Sequence, residues 1–251
     1  MKLKQACGTV LIENTTLRPD LVAEHGFALW LDTGEAKVLF DTGASGAVCP
    51  NAEKLGIDLS EADAIVLSHG HSDHTGGLAA VADIARDAVV YAHPAAGLAV
   101  DDTRWLRSRV PEVVAPGVRT TGEIPRTTPF EEKSDHPRQH PDDQALYFEV
   151  DEGLVVIAGC AHAGAVNTLK YVARLEGTDR VFALLGGLHM GSVPEERMTQ
   201  TITAFREFGL SHIGPCHCTG DAFVKRVRQE LPAAWVSYQT GTATTFGATN
   251  D

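Results

Sequence analysis

The sequence predicts a layered α/β protein whose sheets are covered by helices on both faces. Three observations predict it. The first forty residues are β-forming runs separated by turns, and the second half alternates short apolar runs with amphipathic stripes. The residues able to do chemistry cluster directly after the apolar runs, which places them at strand ends.

In chain order, GTVLIE (8–13), GFALWLD (26–32) and KVLFDTG (37–43) read as a meander of paired strands, with turn residues such as Asp32-Thr33-Gly34 between them. DAIVLS (63–68) is a buried strand. Leu78, Val81, Ala82 and Ala85 then mark one face of a helix, and VVYAHP (89–94) is a further strand. Residues 101–142 are rich in Pro, Arg and Asp, contain HPRQHPDD, and lack steady periodicity. They are expected to form an irregular excursion over the site or at a subunit contact, within one domain spanning 1–251. ALYFEV and LVVIAG form a hairpin across Asp151-Glu152-Gly153. A helix with Val166, Leu169 and Ala173 follows, then the strand VFALLG (181–186). Ser192 and Glu195 have capping-box spacing ahead of a helix with Met198, Ile202 and Phe205 on its apolar stripe. LSHIGP is the last strand of the pattern, followed by a helix carrying Val224, Val227 and Leu231.

A chain of 251 residues with 43% hydrophobic and 22% charged residues can bury a sizeable core. Its net charge of −12 argues against a nucleic-acid binder, whose affinity rests on clustered Lys and Arg. No apolar run approaches the ~20 residues of a membrane span, and the apolar stretch behind the first lysines is too short for a signal-peptide core. The expectation is a cytoplasmic protein acting on a small molecule, without nucleic-acid or membrane partners; a homo-oligomer is allowed. Five scattered cysteines, an odd number, fit a reducing compartment better than a disulfide framework.

LSHGHSDHTGGL (67–78) places His69, His71, Asp73 and His74 within six positions, just beyond a buried strand. A tight loop, with Gly70 and Ser72 permitting the bend, aims such donors at one point. Neutral imidazole and carboxylate are the ligands that zinc, manganese and iron accept. A solvated loop has no use for so many histidines, so the stretch reads as a metal site. One loop rarely completes such a site, and three later strand ends offer more donors: Cys160 and His162, His189, and His217 flanked by Cys216 and Cys218.

The His-x-His-x-Asp-His signature, preceded by VLFDTG and followed by spaced histidines, resembles the metallo-β-lactamase superfamily, an αββα sandwich, over nearly the whole chain. NTT (14–16), AEHGFAL (23–29), TGEIPR (121–126), DDQAL (142–146), GCAHAGAVNTL (159–169), GGLH (186–189) and HCTG (217–220) resemble one branch of it. Archaeal members of that branch are 7,8-dihydropterin-6-yl-methyl-4-(β-D-ribofuranosyl)aminobenzene 5′-phosphate synthases, and bacterial members are metal-dependent hydrolases. The resemblance implies two divalent metal ions, zinc first, with manganese or iron as alternatives. His69 and His71 would hold the first ion; Asp73, His74 and His217 would hold the second. Asp41 in FDTG would be the acceptor fixing one histidine ring, or simply a turn residue. Superfamily members usually carry a histidine before the hairpin and a bridging aspartate after it. Here those places read His-Pro-Asp-Asp-Gln (140–144) and Gly-Cys-Ala-His (159–162). His162 is therefore expected as a ligand, with Cys160 as a thiolate ligand or bridge; Asp143 is either a substitute carboxylate or a turn residue.

The implied function is a metal-dependent hydrolase using activated water on a small anionic substrate, through a phosphoester, ester or lactone-like bond. Asp73 and His189 are the expected catalytic residues. His189 is surplus to the ligand set and follows Gly186-Gly187, which suits proton donation; a structural role or direct ligation are the alternatives. Arg126 is expected to pair with a substrate anion, unless it is a solvated loop residue. Two other readings stay open: a pterin-type transferase displacing diphosphate, and a non-hydrolytic iron or redox protein or metal-dependent binding protein, for which Cys216 and Cys218 speak.

Overall fold

The computed structural model describes residues 1–98, 104–131 and 140–248. Its elements run β1 (Gln5–Ile12), β2 (Ala28–Asp32), β3 (Lys37–Phe40), α1 (Val48–Lys54), β4 (Ala64–Val66), α2 (Ser72–Thr75), α3 (Leu78–Ile84), β5 (Val89–Ala92), β6 (Trp105–Arg107), β7 (Val113–Ala115), β8 (Val118–Thr120), β9 (Ala145–Val150), β10 (Gly153–Ala158), α4 (Ala165–Glu176), β11 (Val181–Gly187), α5 (Glu195–Glu207), β12 (His212–Cys216), α6 (Asp221–Glu230) and β13 (Ala243–Gly247). They build two sheets, ordered β13-β1-β2-β3-β4-β5-β6 and β12-β11-β10-β9-β8-β7. β3 to β6 run parallel, as do β10 to β12; the other pairings are antiparallel.

Strand alternation sorts the apolar residues into layers. Leu29, Leu31, Phe40, Phe148, Val155, Ile157 and Phe246 form the core between the sheets. Their strand neighbours face outward: Trp30, Leu39 and Ile65 pack with Val48 of α1 and Val81 of α3. On the other side Leu154, Val156 and Leu184 pack with Leu169, Ile202, Phe205, Phe223 and Val227 of α4, α5 and α6. Three stacked cores require four layers, and the architecture is the expected αββα sandwich. Strands such as β10, buried at every position, had to read as continuous apolar runs.

Three local expectations are corrected. The excursion is not wholly irregular: β6 extends the first sheet, and β7 and β8 pair across Pro116-Gly117 at the edge of the second. Runs of three residues are too short to show a period. Residues 101–103 and 132–139 of that excursion lie outside the described residues. The capping box is absent, because Pro194, with φ −59°, precedes a helix that starts only at Glu195. The Glu195 carboxylate instead accepts from Arg226 Nη1 at 2.6 Å. Finally, the His-rich stretch is half helix: His69 and His71 lie on the loop, whereas Asp73 and His74 sit on the single turn of α2. β13, which pairs with β1, was not expected at all.

Beyond β8 the chain is tied to α4. Glu131 accepts from Val166 N at 2.9 Å and Asn167 N at 2.8 Å, satisfying amides in the first turn of that helix. Asn167 Oδ1 in turn accepts from Thr127 N and Thr128 N, so Arg126 is held on an anchored segment. Phe148 contacts Phe246 across the inter-sheet core, with ring centroids 5.9 Å apart. Phe148→Ala is expected to destabilise the protein by about 3–5 kcal/mol, read as a lowered denaturant midpoint at unchanged m-value.

Candidate metal centre

The site forms where strands of both sheets end together. Asp41 follows β3 in a left-handed conformation, φ 60°, which turns its buried carboxylate back toward the end of β4. Its Oδ1 accepts from Ser68 N at 2.7 Å; its Oδ2 accepts from Ser68 Oγ at 2.6 Å and faces His74 Nδ1 at 2.7 Å. With its proton committed to Asp41, the Ser68 hydroxyl is left to accept from His69 Nδ1, 2.9 Å away. Both rings therefore keep Nε2 as a bare acceptor pointing inward. Gly159, at the end of β10, lets the second sheet close on this cluster, since a Cβ there would lie 2.1 Å from Ser68 Oγ.

His217 follows β12 and is fixed in the same way by the first strand. Its amide donates to Glu13 Oε1 at 2.9 Å, and its Nδ1 faces Asn14 Oδ1 at 3.1 Å. Asn14 Nδ2 donates to the His217 carbonyl, which sets the orientation of the asparagine amide.

Two donor groups result. His69 Nε2 and His71 Nδ1 face each other at 3.0 Å, and a donor atom of His162 lies within 4.8 Å of both. Beside them, His74 Nε2 is 3.1 Å from His217 Nε2, and Asp73 Oδ2 is 3.3 Å from His217 Nε2 and 3.7 Å from His74 Nε2. Cys160 Sγ stands between the groups, 3.2 Å from His74 Nε2 and grouped with His69 as well. Converging bare nitrogens repel one another unless a cation lies among them. Two imidazoles on one zinc ion at about 2.0–2.1 Å sit about 3.3 Å apart, close to the separations found. The residues fit a metal.

The electrostatics agree. Burial, then the neighbouring imidazoles, keep His69 far below its ordinary value and push His162 down to about 2, so both rings are neutral and available. Burial likewise lowers His217, against the opposing pull of Asp73. Burial alone would raise the Asp73 carboxyl, but His217 and His74 outweigh it and hold it well below the carboxylate range.

The structure thus brings His69, His71, Asp73, His74, Cys160, His162 and His217 together, with Asp41 behind them. His189, φ 48°, lies beside His162, with ring centroids 4.5 Å apart. Arg126 stands to one side, lining a cleft of ≈ 570 Å³ with Glu123, His140, Asp143 and Ala163. Asp143 does not join the donors: Oδ2 accepts from Ala163 N at 2.8 Å, and burial pushes its carboxyl up to about 7. Sequence reasoning passed over His140, whose ring stacks on His162 at 4.3 Å and lies 4.3 Å from His71. The signal was present, because His140 occupies the pre-hairpin place where the resemblance expects a histidine. Exposed His25, with Nε2 3.4 Å from Asp73 Oδ2, lies inside the motif AEHGFAL, and Asn14 begins NTT, but neither motif points to a role for them. Glu13 and Ser68 gave no signal.

The sequence profile described as the metallo-β-lactamase superfamily matches residues 22–173. The chain belongs to the metallo-β-lactamase superfamily. A relative from Methanocaldococcus jannaschii, 7,8-dihydropterin-6-methyl-4-(β-D-ribofuranosyl)-aminobenzene-5′-phosphate synthase, is 28% identical, across 79% of this chain and 82% of the relative. A solved structure described as a metal-dependent hydrolase of the β-lactamase superfamily superposes with a TM-score of 0.81 at 26% identity, covering 97% of this chain and all of that one. A metallo-β-lactamase fold protein from Bacillus subtilis shares the fold, with a TM-score of 0.67 at 14% identity, across 96% of this chain and all of the other. This superfamily is enzymatic and generally metal-dependent. Among the described residues, no helix is long and apolar enough to cross a membrane.

The buried rings make metal-free stability depend on pH. Unfolded, these imidazoles take up protons near their ordinary value of about 6.5, whereas His69 and His162 in the fold do not. Their depressed values contribute stability that is fully present above about pH 7 and is lost as the pH falls below 6.5. The slope is about 1.4 kcal/mol per pH unit for each ring. Chelator-treated protein should therefore show a falling unfolding midpoint from pH 7.5 to 5; a flat profile would contradict the assigned neutral state.

Proposed function

We propose that this superfamily member is a metal-dependent hydrolase acting on a small anionic substrate with a phosphoester, ester or lactone-like bond. The observation that carries it is the pair of adjoining donor groups, meeting at Cys160 and oriented from outside by Asp41, Ser68 and Asn14. His69, His71 and His162 would hold one divalent ion, with His140 packed against them; Asp73, His74, Cys160 and His217 would hold the other. Bound there, two ions supply an activated water and charge compensation for the oxygens of the reacting group.

The chain's own residues do the rest. Asp41 fixes the His74 ring directly and the His69 ring through Ser68, so the donors lose little freedom on binding. Asp73 adds a carboxylate beside the place where a nucleophile would be oriented. Arg126 lines the cleft next to His140, where its planar fork can take a substrate phosphate or carboxylate. His189 lies beside His162 and can donate a proton to the leaving group.

A transferase reading, in which an aromatic or amine nucleophile displaces diphosphate from a dihydropterin, is favoured by the relative named as a phosphate synthase. Zinc heads the candidate ions, with manganese and iron behind it. Turnover by metal-loaded protein of phosphoesters, esters and lactones with water alone supports hydrolysis. Turnover of a pterin diphosphate only when an amine acceptor is added supports transfer instead.

Two variant sets test the roles. His71→Ala and His217→Ala should each lower bound metal and abolish turnover, while His189→Ala should keep its metal and lose at least about tenfold in kcat. Loss of metal from His189→Ala would make it a ligand, and an unchanged kcat would make it structural. Arg126→Ala should raise KM with kcat little changed; an unchanged KM for every active substrate removes Arg126 from recognition.

A further inference from the structure

Three cysteines lie near the ends of β10 and β12, and the fold treats them differently. Cys216 is the last residue of β12, and its side chain belongs to the apolar core between the sheets. Two residues later the chain has turned through His217, φ 51°, and Cys218 points the other way. Its Sγ lies 3.7 Å from the Cys160 carbonyl, and the donor atoms of Cys160, His217 and Cys218 all fall within 4.8 Å of one another. Gly187 makes room for it: a Cβ there would stand 2.7 Å from Cys218 Sγ. A side chain at 187 would crowd both this sulfur and the Gly159 carbonyl oxygen, which the same Cβ would meet at 2.2 Å.

We propose that Cys218 is a further metal ligand, forming with Cys160 and His217 a two-thiolate corner that binds a soft or borderline divalent ion. The proposal rests on the metal-binding reading above and adds a donor that neither the motif nor the acidic and histidine ligands supply. Two thiolates on one zinc ion, at about 2.3 Å each, lie about 3.8 Å apart, so closing the present arrangement takes a small side-chain adjustment. Sulfur donors discriminate between metals. Zinc, iron(II) and cobalt(II) accept thiolate, whereas manganese(II) and magnesium prefer oxygen. The corner therefore selects the metal for the half of the site containing His217, leaving the all-imidazole half unselective by comparison.

The experiment uses cobalt(II) as the probe, added to the metal-free full chain. Bound cobalt is read by its visible d–d bands and by equilibrium dialysis, and thiolate ligation by near-ultraviolet sulfur-to-cobalt charge-transfer absorption. The wild type should show both. Cys160→Ser and Cys218→Ser should each lose about half of the charge transfer, and the double variant all of it, with cobalt still held by the histidines. Cys49→Ser, in α1 and remote from the site, should change nothing. In competition dialysis Cys218→Ser should weaken zinc binding by more than about tenfold and leave manganese binding within about twofold. Full wild-type charge transfer in Cys218→Ser would overturn the proposal while the metal site stands. Equal losses for zinc and manganese would overturn the selectivity it claims. No cobalt uptake by the wild type would overturn the metal reading itself, and this inference with it.

Discussion

The buried carboxylate of Asp41 is the contact on which the rest of the site depends. Three donors converge on it, from the backbone and hydroxyl of Ser68 and from the ring of His74. Those bonds fasten the loop after β4 to the end of β3, set the tautomers of two imidazoles, and present a compact polar face on which Gly159 of the second sheet can close. A buried carboxylate is costly unless its lone pairs are filled. Here that requirement is met only when the loop after β4 and α2 hold their observed places against the end of β3.

The same economy appears in the backbone. The non-glycine residues with left-handed φ among the described residues are Asp41, His140, Ala161, His189 and His217. Each belongs to a strand-end loop of the site, and each conformation costs about 1–3 kcal/mol that the surrounding sandwich must offset. Strain concentrated in this way follows from geometry. Strands of two sheets end around one small volume, and extended or helical continuations would carry the donors away from it. Rigid sheets beneath sharp turns supply donors that are already oriented.

Much of the architecture was legible because burial on both faces leaves a plain mark. β9 to β12 and their helices showed in runs such as LVVIAG and in the stripe Met198, Ile202 and Phe205. What escaped was short or depended on a distant partner. β7 and β8 span three residues each, and β13 pairs with β1 from the opposite end of the chain. The capping box failed because spacing alone cannot tell whether Glu195 folds back on its own helix or reaches Arg226 of another.

For the site, the sequence by itself determined the donor chemistry and its location: histidines, an aspartate and cysteines placed just after buried strands, where a chain must leave the sheet. Only the tertiary structure decided which donors meet. It turned Cys216 into the core and Cys218 toward Cys160, brought His140 against His162, and tied Asp143 to Ala163 N. It also joined His217 to Asn14 across 203 positions of sequence, fixing which ring nitrogen is free. The physical reason is that side-chain type and strand periodicity are local properties, whereas convergence on one point depends on how two sheets stack and where their strands stop.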